Sequence, residues 1–179
     1  MSTAWKLYWA LVALTLVIYF TMILWSLPVV SAAAGGLVPF DMRPSGYSFD
    51  AAHAFLSAIT PDGSAFYRGT QQMLDIAYPT LLAVVLVIAL WNLAKRLPVW
   101  ARYVLIALPI IGSVADHLEN AAVSGMLQAG PDALTAEMVA IASRWTLIKS
   151  GATSVAMLVL LGFLAMLLVR KFLARNTNK

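Results

Sequence analysis

Eight residues, 113–120, read SVADHLEN and place Asp116, His117, Glu119 and Asn120 inside an otherwise apolar chain. Carboxylates in such a setting can exchange protons, hold a cation or pair with bases from a neighbouring helix. The uncharged run before them, 103–115, makes only ~20 Å of helix at ~1.5 Å per residue, short of a ~30 Å hydrocarbon core. A helix that crosses here must take the acidic group in with it, and an ionisable residue inside a span marks a functional site by default. Ser113, Asp116 and Asn120 share one helical face, with Glu119 at its border. His117 points about 100° away from Asp116, so the two need not share a pocket. The other histidine, His53, lies in a separate loop, and a paired haem or metal role is not favoured.

The elements that must position these groups follow from composition. The 179 residues are 61% hydrophobic and 11% charged, against about 25% charged in soluble domains. This is the composition of an integral membrane protein, with room for a single domain of about four spans. The net charge of +4 is no sign of nucleic-acid binding, because the bases cluster at the ends of hydrophobic runs, where topology signals sit. Cysteine is absent. That excludes a disulfide framework, thiol redox chemistry, cysteine-held zinc and iron–sulfur clusters. It also excludes the four-helix quinone-linked disulfide oxidoreductases. No metal and no cofactor is implied.

Four spans are expected, over about 7–30, 64–94, 99–127 and 136–169, with an outer loop over 31–63. The first is flanked by Lys6 and by Trp5, Tyr8, Trp9 and Trp25 as interface anchors. SAAAGG at 31–36 resembles a signal-peptidase site, but the apolar run before it is too long for a signal peptide's core, so a retained span is expected. In the loop, Ser48 can cap a helix over 49–59 with Asp50 in its first turn. Its apolar residues recur at helical spacing, as in a helix lying on the membrane or covering the bundle. Pro61, Asp62 and Gly63 read as a turn. In the second span Arg68, Gln71, Gln72, Asp75 and Tyr78 share roughly one face, and Pro79 is a candidate kink. Bases precede span 1, separate spans 2 and 3 and follow span 4 at Arg170, Lys171, Arg175 and Lys179. The alternation predicts a multi-pass inner-membrane protein with both termini cytoplasmic.

Depth along each helix brings the charges to one level. Counted from the inner ends at ~1.5 Å per residue, Asp75 lies ~30 Å up, Asp116 ~24 Å, Glu119 ~28 Å, Lys149 ~30 Å and Arg144 ~37 Å. Asp75, Asp116, Glu119, Asn120, Arg144 and Lys149 are therefore the candidate ligand-binding residues. Asp116, Glu119 and Lys149 are the candidates for any acid/base chemistry. Three acids face two bases, and the surplus favours a bound cation, a protonated carboxyl or access for water. The competing reading is a structural ion-pair network that fixes helix order. RPSG at 43–46 resembles the phosphate-binding PSGH of membrane phosphatidic acid phosphatases. Tyr47 stands in place of the histidine, however, and no later S-R, H and D set follows.

Three motifs in order, MRPSGYSFDAAHAFL, YRGTQQMLDIAYP and DHLEN, resemble small four-span bacterial integral membrane proteins, themselves uncharacterised. The resemblance spans about 40–153. It implies that the outer loop, Asp75 and the acidic stretch form one device, and it carries no activity.

The expected fold is all-α: an integral membrane four-helix bundle with an extracytoplasmic loop helix. The leading functional expectation is a non-enzymatic protein for small-ligand or lipid binding, transport or accessory work, with a polar pocket near the outer leaflet. A second is a membrane-embedded acid/base enzyme acting on a lipid-like substrate, gated by the loop helix. A third is a structural subunit of a membrane complex. The expected partners are the lipid bilayer, a lipid or small-molecule ligand and a membrane protein, with no nucleic acid.

Overall fold

A computed structural model describes residues 2–176; Lys179 of the expected basic tail lies outside them. The described chain is all-α. Its helices are α1 (Thr3–Ala33), α2 (Phe49–Ala58), α3 (Pro61–Arg96), α4 (Val99–Ala129) and α5 (Ala136–Asn176). Four of them, all but α2, are long and apolar enough to cross a membrane. Each runs a few residues beyond the span expected from hydropathy, because its polar ends continue the helix past the apolar core.

Helix ends are set by local chemistry. The Ser2 hydroxyl accepts from Trp5 N–H at the start of α1. The Ser48 hydroxyl accepts from Ala51 N–H at the start of α2, as its position ahead of Phe49 implied. The stretch Thr60-Pro61-Asp62-Gly63 corrects the expectation of a turn. Thr60 caps α3 by accepting from Gly63 N–H at 3.1 Å, and Pro61 occupies the first turn, where no partner for its missing N–H is needed. Gly130, at φ +69°, ends α4 in a conformation that favours glycine.

Two helices contain π turns, at Met22–Ser26 in α1 and Tyr67–Gln71 in α3. In α3 the wide turn offsets the drift that a four-residue step accumulates in an α-helix. Tyr67, Gln71, Asp75 and Pro79 therefore all point inward and are buried.

α4 packs along α5 and, on its other side, against α3, while α1 leans chiefly on α3. Lipid tails are as apolar as leucine, so close contact between spans depends on small residues. Ala115, Ala142 and Ala156 are fully buried. At Gly112 an added Cβ would lie 2.6 Å from Thr153 Oγ1, so only glycine allows this approach of α4 to α5. Large apolar residues face outward along every span, Leu24 and Leu158 among them.

The loop between α1 and α3 is closed at its base, where Thr60 N–H donates to Ala33 C=O at 2.9 Å. It folds back over one end of the bundle. A short 3₁₀ turn, Phe40–Met42, and α2 bring Phe40 and Phe55, both fully buried, against Tyr67 and Val123. Arg43 lies over the rings of Phe40, Tyr47 and Phe55 at 5.6–5.9 Å and donates twice to Val38 C=O. The loop is thus a packed cover rather than a tether.

Charge is divided between the two ends. All 8 acids of the chain fall between Asp41 and Glu137, in the loop, the α4–α5 turn, the first turn of α5 and the portions of α3 and α4 nearest the loop. The opposite end, formed by the start of α1, the α3–α4 connection and the end of α5, carries bases alone.

Candidate functional site

Beneath the loop, side chains from α3, α4 and α5 meet in one polar layer. Lys149 on α5 is its only base. Its Nζ pairs with Glu119 and stands 3.5 Å from Asp116 Oδ2, both on α4. Glu119 is 0% exposed, and its second oxygen accepts from the Thr146 hydroxyl at 2.5 Å. Thr146 and Lys149 lie three residues apart on α5, as Asp116 and Glu119 do on α4, so the two helices meet through matching faces.

Asp75 on α3 completes the layer through amides. The Gln71 Nε2 group donates to Asp75 Oδ1 at 2.9 Å. Asn120 Nδ2 donates both to Asp116 Oδ1 at 3.2 Å and to the backbone carbonyl of Asp75 at 3.0 Å. That carbonyl is free because Pro79, four residues on, has no N–H to offer it. Asn120 thus fills a vacancy that proline leaves in the neighbouring helix. Gln71 is fully buried, and its Oε1 has no hydrogen-bond partner among the described residues. An unpaired buried acceptor beside a carboxylate is a place for a proton donor or a cation.

The loop contributes a fourth acid that sequence reasoning missed. Asp41 Oδ2 accepts from the Tyr67 hydroxyl at 2.8 Å, and Tyr67 is itself only 2% exposed. Burial raises the Asp41 carboxyl above its ordinary pKa, against the pull of the Lys149 charge and the Tyr67 hydrogen bond. Tyr47, whose N–H donates to Ser143 Oγ at 3.0 Å, seats the loop on α5. Its phenol is raised by burial and then by the negative charge of Glu119. Gly46 permits this seat: it holds φ +77°, and a Cβ there would lie 2.5 Å from Ser143 Oγ.

Of the six residues expected at the site, Asp75, Asp116, Glu119, Asn120 and Lys149 come together. Arg144 does not. It lies on the exposed side of α5 and makes no ion pair among the described residues. Five residues separate it from Lys149, which turns it about 140° away on a helix. His117 also faces elsewhere, with Nε2 3.0 Å from the Thr80 hydroxyl. The expected stripe on α3 is shifted: Gln71 and Asp75 point inward, Arg68 is exposed and Gln72 sits between.

Two small cavities flank the layer. One of about 10 Å³ lies among Asp41, Tyr67, Asp75, Asn120 and Ser124. That is close to the ~10–15 Å³ a single water needs. The other, about 70 Å³, lies deeper among Tyr78, Pro79, Ser113, Asp116 and Thr153. Beyond it the interior closes around Leu86 and Leu90, which are buried. Neither cavity approaches the ~300–1,000 Å³ of a site for an organic ligand. Among the described residues, no three of His, Asp and Glu are arranged as a metal-ion set. Compared with known proteins, the chain matches no family model, no curated protein and no solved structure.

Proposed function

We propose that the chain is a non-enzymatic membrane protein that takes up small cations, protons first, through a polar layer near its outer surface. The observation that carries this reading is the imbalance of the layer. Four carboxylates (Asp41, Asp75, Asp116 and Glu119) meet one ammonium, Lys149, between apolar helices. Removing such charges from water is costly unless counter-charge is supplied. Lys149 offsets one charge of the Glu119–Asp116 pair, and the remaining three call for protons or a bound cation among these carboxylates. The cavities support the same class of ligand, since they fit water and small ions. The orientation that goes with this reading places both termini in the cytoplasm of a bacterial cell and the loop outside, because the basic segments all fall on the terminal side.

The test is reconstitution in liposomes with a trapped pH-sensitive dye. A step to acid outside should acidify the lumen faster than in protein-free vesicles. Asp75→Asn and Asp116→Asn should return the rate to the protein-free value while the protein remains folded. Equal rates for wild-type and protein-free vesicles would sink the reading.

A second reading, an acid/base enzyme acting on a lipid-like substrate, is favoured by one feature. The Asp116 carboxylate borders the larger cavity beside the hydroxyls of Tyr78, Ser113 and Thr153, with Lys149 holding it from behind. Such a carboxylate is placed for proton transfer to a group admitted from the bilayer. Incubation with total bacterial lipid, followed by mass spectrometry, decides it: a species consumed by the wild type and spared by Asp116→Asn supports the enzyme.

A further inference from the structure

A concavity lies at the opposite end of the bundle from the carboxylate layer. It measures about 540 Å³ and opens between α1, α3 and α5. Its walls are Trp5 and Trp9 from α1, Ile88 and Leu93 from α3, and Leu160 and Leu164 from α5. It exists because α1 leans on α3 while α5 packs along α4, so α1 and α5 are left apart at this end. The polar groups that line it are few: Ser2, Tyr8 and Asn92. Asn92 donates to Ile88 C=O and is otherwise exposed, and the Ser2 hydroxyl caps α1.

The rim is basic. Lys6 follows Trp5 directly, and Lys95 and Arg96 come just after Leu93; all three are exposed. Among the described residues none of them has a carboxylate partner. None is available nearby in sequence: the acid nearest to Lys6 is Asp41, and those nearest to Lys95 and Arg96 are Asp75 and Asp116. Arg170 and Lys171, also exposed, add charge on α5 beyond Leu164. An apolar trough of this size, flanked by interface tryptophans and unneutralised bases, has the chemistry of one lipid: a chain for the trough and a negative headgroup for the rim.

We infer that this groove binds one anionic phospholipid, an acyl chain lying between α1 and α5 and its phosphate meeting Lys6 and Arg96. The site is independent of the carboxylate layer. Its occupant is the lipid itself rather than free phosphate, because the wall is mostly apolar and suits an acyl chain.

Native mass spectrometry tests it on the full-length protein, purified and then offered equimolar phosphatidylglycerol and phosphatidylcholine of identical chains. The wild type should retain one phosphatidylglycerol in preference to phosphatidylcholine. Lys6→Gln with Arg96→Gln should lower that preference about fivefold per base removed. Leu160→Trp, which fills the trough, should abolish retention of either lipid. If Leu160→Trp does not fold, Ala89→Phe fills the same space from α3. A third measurement uses the wild type alone: in vesicles, phosphatidylglycerol with brominated chains should quench Trp5 and Trp9 more than brominated phosphatidylcholine, judged against Trp5→Phe and Trp9→Phe. Equal retention of the two lipids, occupancy by detergent alone, equal quenching, or unchanged retention in both filled variants would each overturn the proposal.

Discussion

Glu119 shows what a single charge costs in this setting. It is completely buried, and its two oxygens are met by Lys149 and Thr146. Removing one partner of such a pair leaves an uncompensated charge, worth about 3–5 kcal/mol, whereas removing both is far milder. Lys149→Met should therefore destabilise strongly, and adding Glu119→Gln to it should recover much of the loss. Unfolding of the two singles and the double in mild detergent with added SDS measures this; additive losses would contradict it. Asp41 supplies a pH-dependent counterpart. Its carboxyl is raised by burial under the docked loop, so the docked state holds the proton more tightly than the free one. Docking is then strongest below the ordinary value of 3.8 and weakens as pH rises through the elevated one. After correction for the intrinsic rise of exchange with pH, the protection of 40–58 should fall with rising pH over that window, and Asp41→Asn should flatten the response.

At the scale of elements, the join between α3 and α4 rests on a complementary defect and repair. Pro79 strips the Asp75 carbonyl of its helical partner and Asn120 supplies another. Asn120→Ala should leave that carbonyl unsatisfied at a cost of about 1–3 kcal/mol. In a Pro79→Ala background the restored N–H should take over, and the same asparagine change should cost clearly less. Thermal melts of the four proteins give the coupling, and equal costs in both backgrounds would refute it. These elements were partly readable in advance. Hydropathy marked all four spans, Ser48 announced α2, and counting ~1.5 Å steps put Asp75, Asp116, Glu119 and Lys149 at one depth. Asp41 escaped because it sits in a three-residue turn among glycines and prolines, where no periodicity assigns a face. Arg144 was grouped with Lys149 by depth alone, and it is rotation about the helix axis that separates them. The inward stripe of α3 was misplaced because a π turn alters the count and leaves no mark in the sequence. Thr60-Pro61 did carry a capping signal, which the turn-like Pro-Asp-Gly that overlaps it obscured.

For the molecule as a whole, the end that carries bases alone makes a strong prediction about orientation. The natural absence of cysteine allows it to be tested with single introduced thiols. Ser2→Cys should resist a membrane-impermeant maleimide applied to intact cells after removal of any outer barrier, and Asp132→Cys, exposed in the α4–α5 turn, should react. The reverse labelling would invert the topology and place the loop inside. The bundle itself is uneven. α4 serves as its centre, flanked by α3 and α5, while α1 is peripheral and its π turn touches the π turn of α3.

The repair at Asp75 also has a mechanical consequence. Where a helix is continuous, bending it breaks backbone hydrogen bonds. At this level of α3 the proline has already removed one, and the substitute comes from another helix. A bend of α3 at Pro79 therefore releases a side-chain bond, worth about 0.5–1.5 kcal/mol, in place of a backbone one, besides the packing of α3 on α4. Asn120 would let go of Asp75 in the same motion and keep its bond to Asp116. Bending of the helix and release of the Asp75 carbonyl are thus a single movement, while the Asp75 carboxylate keeps its Gln71 partner on the same helix.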